Sequence, residues 1–210
     1  MTDWVTISSL ATAGGTLVLA IATFGSVRSA NRAARVAEES LLVGIRPLLV
    51  PSRSDDAPLK VGFQDGHWAR PTGSGGTAEA TGDAVYLTMS LRNVGSGLAV
   101  MHGWRLEPAA TGDAQRPPLE EFHRLTRDLY LGAGDVGFWQ GALRDPGEAD
   151  FVHATKQIEA RERLVIDVLY GDYQGGQRVI SRFSLLPREA DGSWIATAAR
   201  HWNVDRPDPR

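Results

Sequence analysis

The sequence predicts a mainly β protein: an amino-terminal membrane helix and stalk, then an antiparallel β-sandwich or barrel of about eight strands. Three observations lead there. Residues 4–27, "WVTISSLATAGGTLVLAIATFGSV", carry no charged side chain. Arg28, Arg32 and Arg35 follow at once. Beyond Pro47 the apolar pattern changes from helical spacing to alternation, with Gly, Pro and Asp between short runs.

At about 1.5 Å per residue the uncharged run reaches roughly 36 Å as a helix, enough to cross a hydrocarbon core of about 30 Å. A buried core helix rarely runs so far without a charge. A cleaved signal peptide wants basic residues before its apolar run, and Met1-Thr2-Asp3 supplies none. The positive charge sits on the far flank instead. By the positive-inside rule, Arg28, Arg32 and Arg35 stay in the cytoplasm, so the expected topology is a single span in the plasma membrane. The amino terminus then lies outside and the carboxyl-terminal domain inside. Trp4 suits the opposite interface, and the arginines suit anionic lipid. Ala11 and Gly15 have the spacing of close helix–helix packing, which would give a homo-oligomer. The competing reading is that small residues are simply abundant in this chain.

The helix is expected to continue as a stalk through "RSANRAARVAEESLLVG" until Pro47, which pushes Arg46 out of the helical region. Val27, Ala30, Ala34, Ala37 and Leu41 follow 3-4 spacing. Two heptads are too few for a coiled coil, so a solvated or headgroup-lying helix is the favoured reading. The expected domains are therefore 1–46 for span and stalk, 47–205 for the β-domain and 206–210 for a tail.

Two hairpins anchor the β-domain. In the first, Val85, Leu87, Met89 and Leu91 share one face, "NVGSG" turns, and Leu98, Val100, His102, Trp104 and Leu106 resume the alternation. In the second, Leu164, Ile166, Val168 and Tyr170 alternate before a glycine-rich turn, then Val179 and Phe183. One register sets Asp167 opposite Arg182. "PLLVP", "LKVGF", "DLYL", "VGFWQGAL" and "SWIATA" read as shorter strands, and no long helix is expected after residue 46. Segments 64–83 and 107–118 read as loops. The first holds His67, Trp68 and Arg70, the exposed-loop binding candidates; the alternative folds Trp68 back over the sheet.

The stretch "LRNVGSGLAV" resembles the Asn-x-Gly-x-x-x-Ala turn of immunoglobulin-like bacterial surface and accessory domains. The order of span, arginine-alanine stalk ("SANRAARVAEESLLVGIRPLLVPSR") and β-domain resembles uncharacterised actinobacterial single-span membrane proteins. The resemblance implies an immunoglobulin-like sandwich without the inter-sheet cysteine pair. It brings no catalytic residues with it.

Chemical signatures are few. The chain has no cysteine, which excludes disulfides, thiolate metal sites and a cysteine nucleophile. "GAGDVG" (132–137) matches a dinucleotide fingerprint, but its surroundings are β-like, so a glycine-rich turn is the reading. Five histidines lack metal-ligand spacing, and Asp128, Asp135, Asp145 and Asp150 read as turn carboxylates. A net charge of −3 speaks against nucleic acid as a partner. The expectation is a membrane-anchored interaction or scaffold module with a protein partner, no cofactor, no metal and no catalysis. Two alternatives stay open: a subunit of an oligomeric membrane assembly or channel, and an extracytoplasmic binding or adhesion domain.

Overall fold

The computed structural model of the chain describes residues 3–107 and 115–208. It divides into two compact units, Met1–Val43 and Gly44–Arg210. The first unit is almost wholly helical. Helix α1, Trp4–Gly44, is 41 residues long and runs unbroken from the uncharged segment through the stalk. It is long and apolar enough to cross a membrane. The hydroxyls of Thr12, Thr16 and Thr23 each donate to the carbonyl four residues back, satisfying their polarity within the helix. The helix ends at Gly44, the last residue of the stretch expected to be helical, and Ile45 turns ahead of Pro47.

The second unit is mainly antiparallel β. Its strands among the described residues are β1 Leu49–Pro51, β2 Val61–Gly62, β3 Trp68–Ala69, β4 Gly75–Ala80, β5 Val85–Asn93, β6 Ala99–Leu106, β7 His123–Leu131, β8 Val136–Leu143, β9 Leu164–Gly171, β10 Val179–Pro187 and β11 Trp194–Asn203. Nine of these join one continuous sheet. β8 lies on one side of β5, while β1 and β4 share its other side in succession. The order then continues β4–β11–β10–β9–β6–β7. The sheet curls into a half-barrel, where the sequence led us to expect an immunoglobulin-like sandwich. Alternation identifies inward faces equally well for one curled sheet or two packed ones, so the pattern alone does not separate them.

Inside the curl, Leu87, Met89, Leu91, Ile166, Tyr170, Phe183 and Leu185 are fully buried around Trp139. The outer face is covered as well. Val61, Phe63 and Ala69 of the β2–β3 hairpin pack on Tyr86, Phe138 and Ala142, while Leu119 and Phe122 of a short 3-10 turn (Leu119–Glu121) pack near Trp202. Segment 64–83, expected to be a loop, thus contains β3 and β4. Of segment 107–118, residues 108–114 lie outside the described residues, as do 209–210 of the tail.

A second departure is helix α2, Ala149–Glu159, where no helix was expected. It follows β8 directly and buries Phe151 and Ala154 against β4, β5 and β9, closing one end of the half-barrel. A single short amphipathic stretch with only two buried anchors carries little periodicity to detect.

Strand β6 corrects a further expectation. A bulge between Met101 and Gly103 shifts its register against both neighbours. Ala99 and Met101 therefore face inward before the bulge, and Trp104 and Leu106 after it. His102, expected on the inward face, lies against Gly171 with its Nε2 buried and without a hydrogen-bond partner among the described residues. Burial, with the nearby Arg178 charge, pulls its pKa below the ordinary 6.5, against a smaller opposing pull from Asp172. Between that lowered value and 6.5 the unfolded chain binds more protons than the folded one. Stability is therefore full above about 6.5 and falls as the pH drops through this window. Urea unfolding at pH 7.5 and pH 5 should show a smaller acid loss in His102→Gln than in the parent.

The chain enters the domain at the end opposite α2. Here Asn93 organises the "NVGSG" turn that the sequence singled out. Its side-chain oxygen accepts from the amides of Leu48 and Gly95, and its amide donates to the carbonyls of Gly97 (2.7 Å) and Leu131 (3.0 Å). Gly95 and Gly97 lie directly against the backbone of Ile45–Leu48, so a Cβ at either would collide with it.

Candidate functional site

β7 and β8 are the two outer strands of the curled sheet, and both leave the turn Gly132–Asp135. That turn is the "GAGD" read from sequence as a glycine-rich turn: Gly134 has φ 79°, and the Asp135 amide bonds the Gly132 carbonyl. β6 ladders one side of β7, and β5 ladders one side of β8. No ladder joins β7 to β8 among the described residues. Away from the turn they frame a cleft of about 270 Å³ at the α2 end of the half-barrel.

The cleft has an apolar floor. Trp104 is 3% exposed and meets the fully buried Trp139 edge-on, with ring centroids 5.4 Å apart. Gly141 permits that contact, since a Cβ there would stand 2.8 Å from one indole and 2.9 Å from the other. Leu125 of β7 and Leu143 of β8 extend the floor to either side, and Phe63 of the β2–β3 hairpin reaches the outer rim.

Its lips are polar and unlike each other. On the β7 lip, Arg124 and Arg127 are exposed and make no ion pair among the described residues. His123 is held by Asp150 of α2 at 3.0 Å, tying the start of β7 to the capping helix. On the β8 lip, Arg144 is neutralised by Asp65 at 3.1 Å, while Asp145 caps the Gly147 amide and Glu148 stands beside it. Burial works against the Asp65 charge. Hydrogen bonds from Tyr86 Oη, the His67 amide and Arg144 outweigh it and leave the pKa below its ordinary value. Between the lips, Gln140 is 6% exposed, and its carboxamide oxygen is buried with no hydrogen-bond partner among the described residues. A buried acceptor left open costs free energy, which a ligand donor would recover.

The residues singled out from sequence lie elsewhere. His67 stacks on Tyr86 (centroids 3.9 Å apart) and pairs with Glu79 at 3.1 Å, so it braces the hairpin. Trp68 is exposed, with Lys60 over its ring at 4.3 Å and Gly62 beneath it; Arg70 is exposed on the same strand end. Trp68 thus covers the β2 backbone while keeping an open face. Arg28, Arg32 and Arg35 are exposed along α1, as are Ala11 and Gly15, and an added Cβ at Gly15 would meet no atom within 4 Å. Asp128, Asp135, Asp145 and Asp150 do not converge, and among the described residues no group of three or more histidine or carboxylate side chains could hold a metal. The cleft residues Arg124, Arg127 and Gln140 went unnoticed in the sequence, because nothing in a strand's composition marks it as an unpaired edge.

A second polar constellation is structural. Asp167 is fully buried and receives Arg182 Nε at 2.7 Å and Arg105 at 3.0 Å; Glu107 accepts from both arginines, and Glu121 pairs with Arg105 at 2.7 Å. The pairing of Asp167 with Arg182 read from sequence is present in the β9–β10 register. A third, Tyr170–Ser181–His201, links a fully buried hydroxyl to a half-buried histidine. Tyr170 Oη lies 2.8 Å from Ser181 Oγ, which lies 2.6 Å from His201 Nδ1, and the Leu49 amide donates to Tyr170.

No family model matches the chain, and no curated protein matches it. Among solved structures, it is similar to a β-glucosidase from Kluyveromyces marxianus in complex with glucose (10% identity, TM-score 0.21), covering 62% of this chain and 13% of that one. A selenomethionine-labelled form of that β-glucosidase gives 10% identity and TM-score 0.21 over 60% of this chain and 14% of that one. At such scores the likeness carries no argument about fold or function.

Proposed function

We propose that this protein is a membrane-anchored interaction module that takes a protein partner at the cleft between β7 and β8. The observation that supports it most is the pair of strand edges that flank the cleft without a ladder between them, since exposed edges recruit added strands unless protected. In this reading α1 spans the plasma membrane with its amino terminus outside. Arg28, Arg32 and Arg35 sit among anionic headgroups on the cytoplasmic side, and the β-domain is cytoplasmic. The resemblance to single-span actinobacterial membrane proteins with an immunoglobulin-like domain enters only as an order of parts: span, stalk, β-domain. The module has no catalysis of its own, and its charged groups at the cleft serve recognition.

Orientation tests the frame. The chain has no cysteine, so Glu189→Cys, on the exposed turn between β10 and β11, gives a single thiol. A membrane-impermeant maleimide should label it only after cells are lysed. Labelling of intact cells would move the domain outside and make it an adhesion or binding module there. The partner surface is tested by a photo-crosslinking residue at Arg127, which should capture a discrete protein that the same residue at exposed Val152 of α2 does not.

A further inference from the structure

Resting on that reading, we infer that the cleft's occupant is an extended segment of a partner protein in which acidic and apolar residues alternate, inserted as an additional strand between β7 and β8. Four observations converge. First, the outward backbone edges of β7 and β8 are both unladdered, so an extended chain between them could bond to both at once and complete the curl. Second, the floor is apolar: Trp104, Leu125 and Leu143 face the space where alternate side chains of an added strand would point. Third, Gln140 lines the cleft from the outer face of β8, the side of Phe138 and Ala142, and its unpartnered carboxamide oxygen, turned toward the cleft, suits a backbone amide of the inserted chain.

Fourth, the charge is lopsided. Arg124 and Arg127 on the β7 lip make no ion pair among the described residues, whereas Arg144 on the β8 lip is already matched by Asp65. Asp145 and Glu148 make the β8 lip the wrong place for an acid. The acidic side chains of the occupant therefore belong against β7, which fixes the direction in which its charged face turns. Glutamate or aspartate there would form charge-assisted bonds with guanidinium groups. The open stretch, residues 123–127 facing 140–145, matches about five extended residues at roughly 3.3 Å each.

The test uses the full chain in phosphatidylcholine nanodiscs and three end-blocked octapeptides as probes: alternating Val-Glu, alternating Val-Lys and alternating Val-Ser. Fluorescence anisotropy should show Val-Glu binding at least tenfold more tightly than Val-Lys, with Val-Ser between. Arg124→Glu with Arg127→Glu should reverse that order without moving the unfolding midpoint, since both side chains are exposed. Gln140→Leu keeps the volume and removes the open acceptor. It should weaken Val-Glu several-fold while leaving stability equal or higher, the opposite of what a purely structural glutamine would give. Equal binding of the Glu and Lys probes, binding indifferent to the double charge reversal, or no binding at millimolar peptide would overturn the proposal. So would a doubled particle mass abolished by the cleft variants, since the edges would then pair two copies of this chain. If the Arg127 crosslinker still captures a discrete partner while every probe fails, the interaction reading stands and the acidic-strand inference alone falls.

Discussion

Asp167→Ala should cost about 3–5 kcal/mol, the largest loss expected of any single charge removal in the domain. The carboxylate is fully buried at the centre of the outer face, with Arg182 at 2.7 Å and Arg105 at 3.0 Å. Removing it leaves two guanidinium groups, themselves only about a tenth exposed, with Glu107 as their remaining shared partner. Arg182 also lies over the Trp202 ring, so a displaced guanidinium loosens the packing of that tryptophan on Leu169 and Ile180. Asp167→Asn keeps the shape and one acceptor and should fall between the parent and alanine. Chemical denaturation at neutral pH measures both. A loss below about 1 kcal/mol for Asp167→Ala would show that Glu107 and Glu121 suffice, and that the ladder behaves like a surface salt bridge.

Trp139→Ala should cost a comparable 3–5 kcal/mol, by emptying the largest fully buried side chain in the core. Its ring packs edge-to-face on Trp104 and covers Gly141, so the cavity would open beneath the cleft floor. Trp139→Phe separates shape from polarity. The indole Nε1 is buried without a partner among the described residues, and its desolvation is already part of the parent's stability. Phenylalanine keeps most of the ring contact and discards that unsatisfied donor, so its loss should be well under half that of alanine. The same denaturation series reads both variants. A phenylalanine as damaging as alanine would mean that the outer ring of the indole supplies nearly all the packing at this position.

The two halves of the molecule were legible in the sequence to different depths. The long apolar helix was plain because twenty-four uncharged residues leave few alternatives. The strands β5, β9 and β10 were equally plain, because Leu87, Ile166 and Phe183 each sit in clean alternation and point inward as expected. Asn93 was visible as a turn residue, although its four side-chain hydrogen bonds, two of them to segments far along the chain, were not. Trp104 and Leu106 of β6 point inward as expected, but Leu98, Val100 and His102 were misread, because one bulge at residue 102 reverses the parity between the two halves of the strand and a bulge leaves no mark in composition. α2 was missed because eleven residues with two buried anchors barely exceed the noise of a loop. The cleft was invisible for a more basic reason. Whether a strand has one neighbour or two depends on which distant segment arrives beside it, and Arg124 or Gln140 acquires its meaning only from that arrangement.

The way the chain enters its domain has a mechanical consequence. Any tension carried along α1 reaches the β-domain through residues 45–51, and the fastenings there are few. They include the three-residue ladder of β1 on β5, the Asn93 clamp, the bonds of the Val94 and Ser96 amides to the Leu48 and Arg46 carbonyls, the bond of the Leu49 amide to Tyr170, and the contact of Arg46 with Asn203. Most of these fastenings fall on one side of β5 and the turn that follows it, while its other side carries the whole length of β8 and with it one wall of the cleft. A single strand thus serves as both the tow-point of the tether and the spar of the cleft.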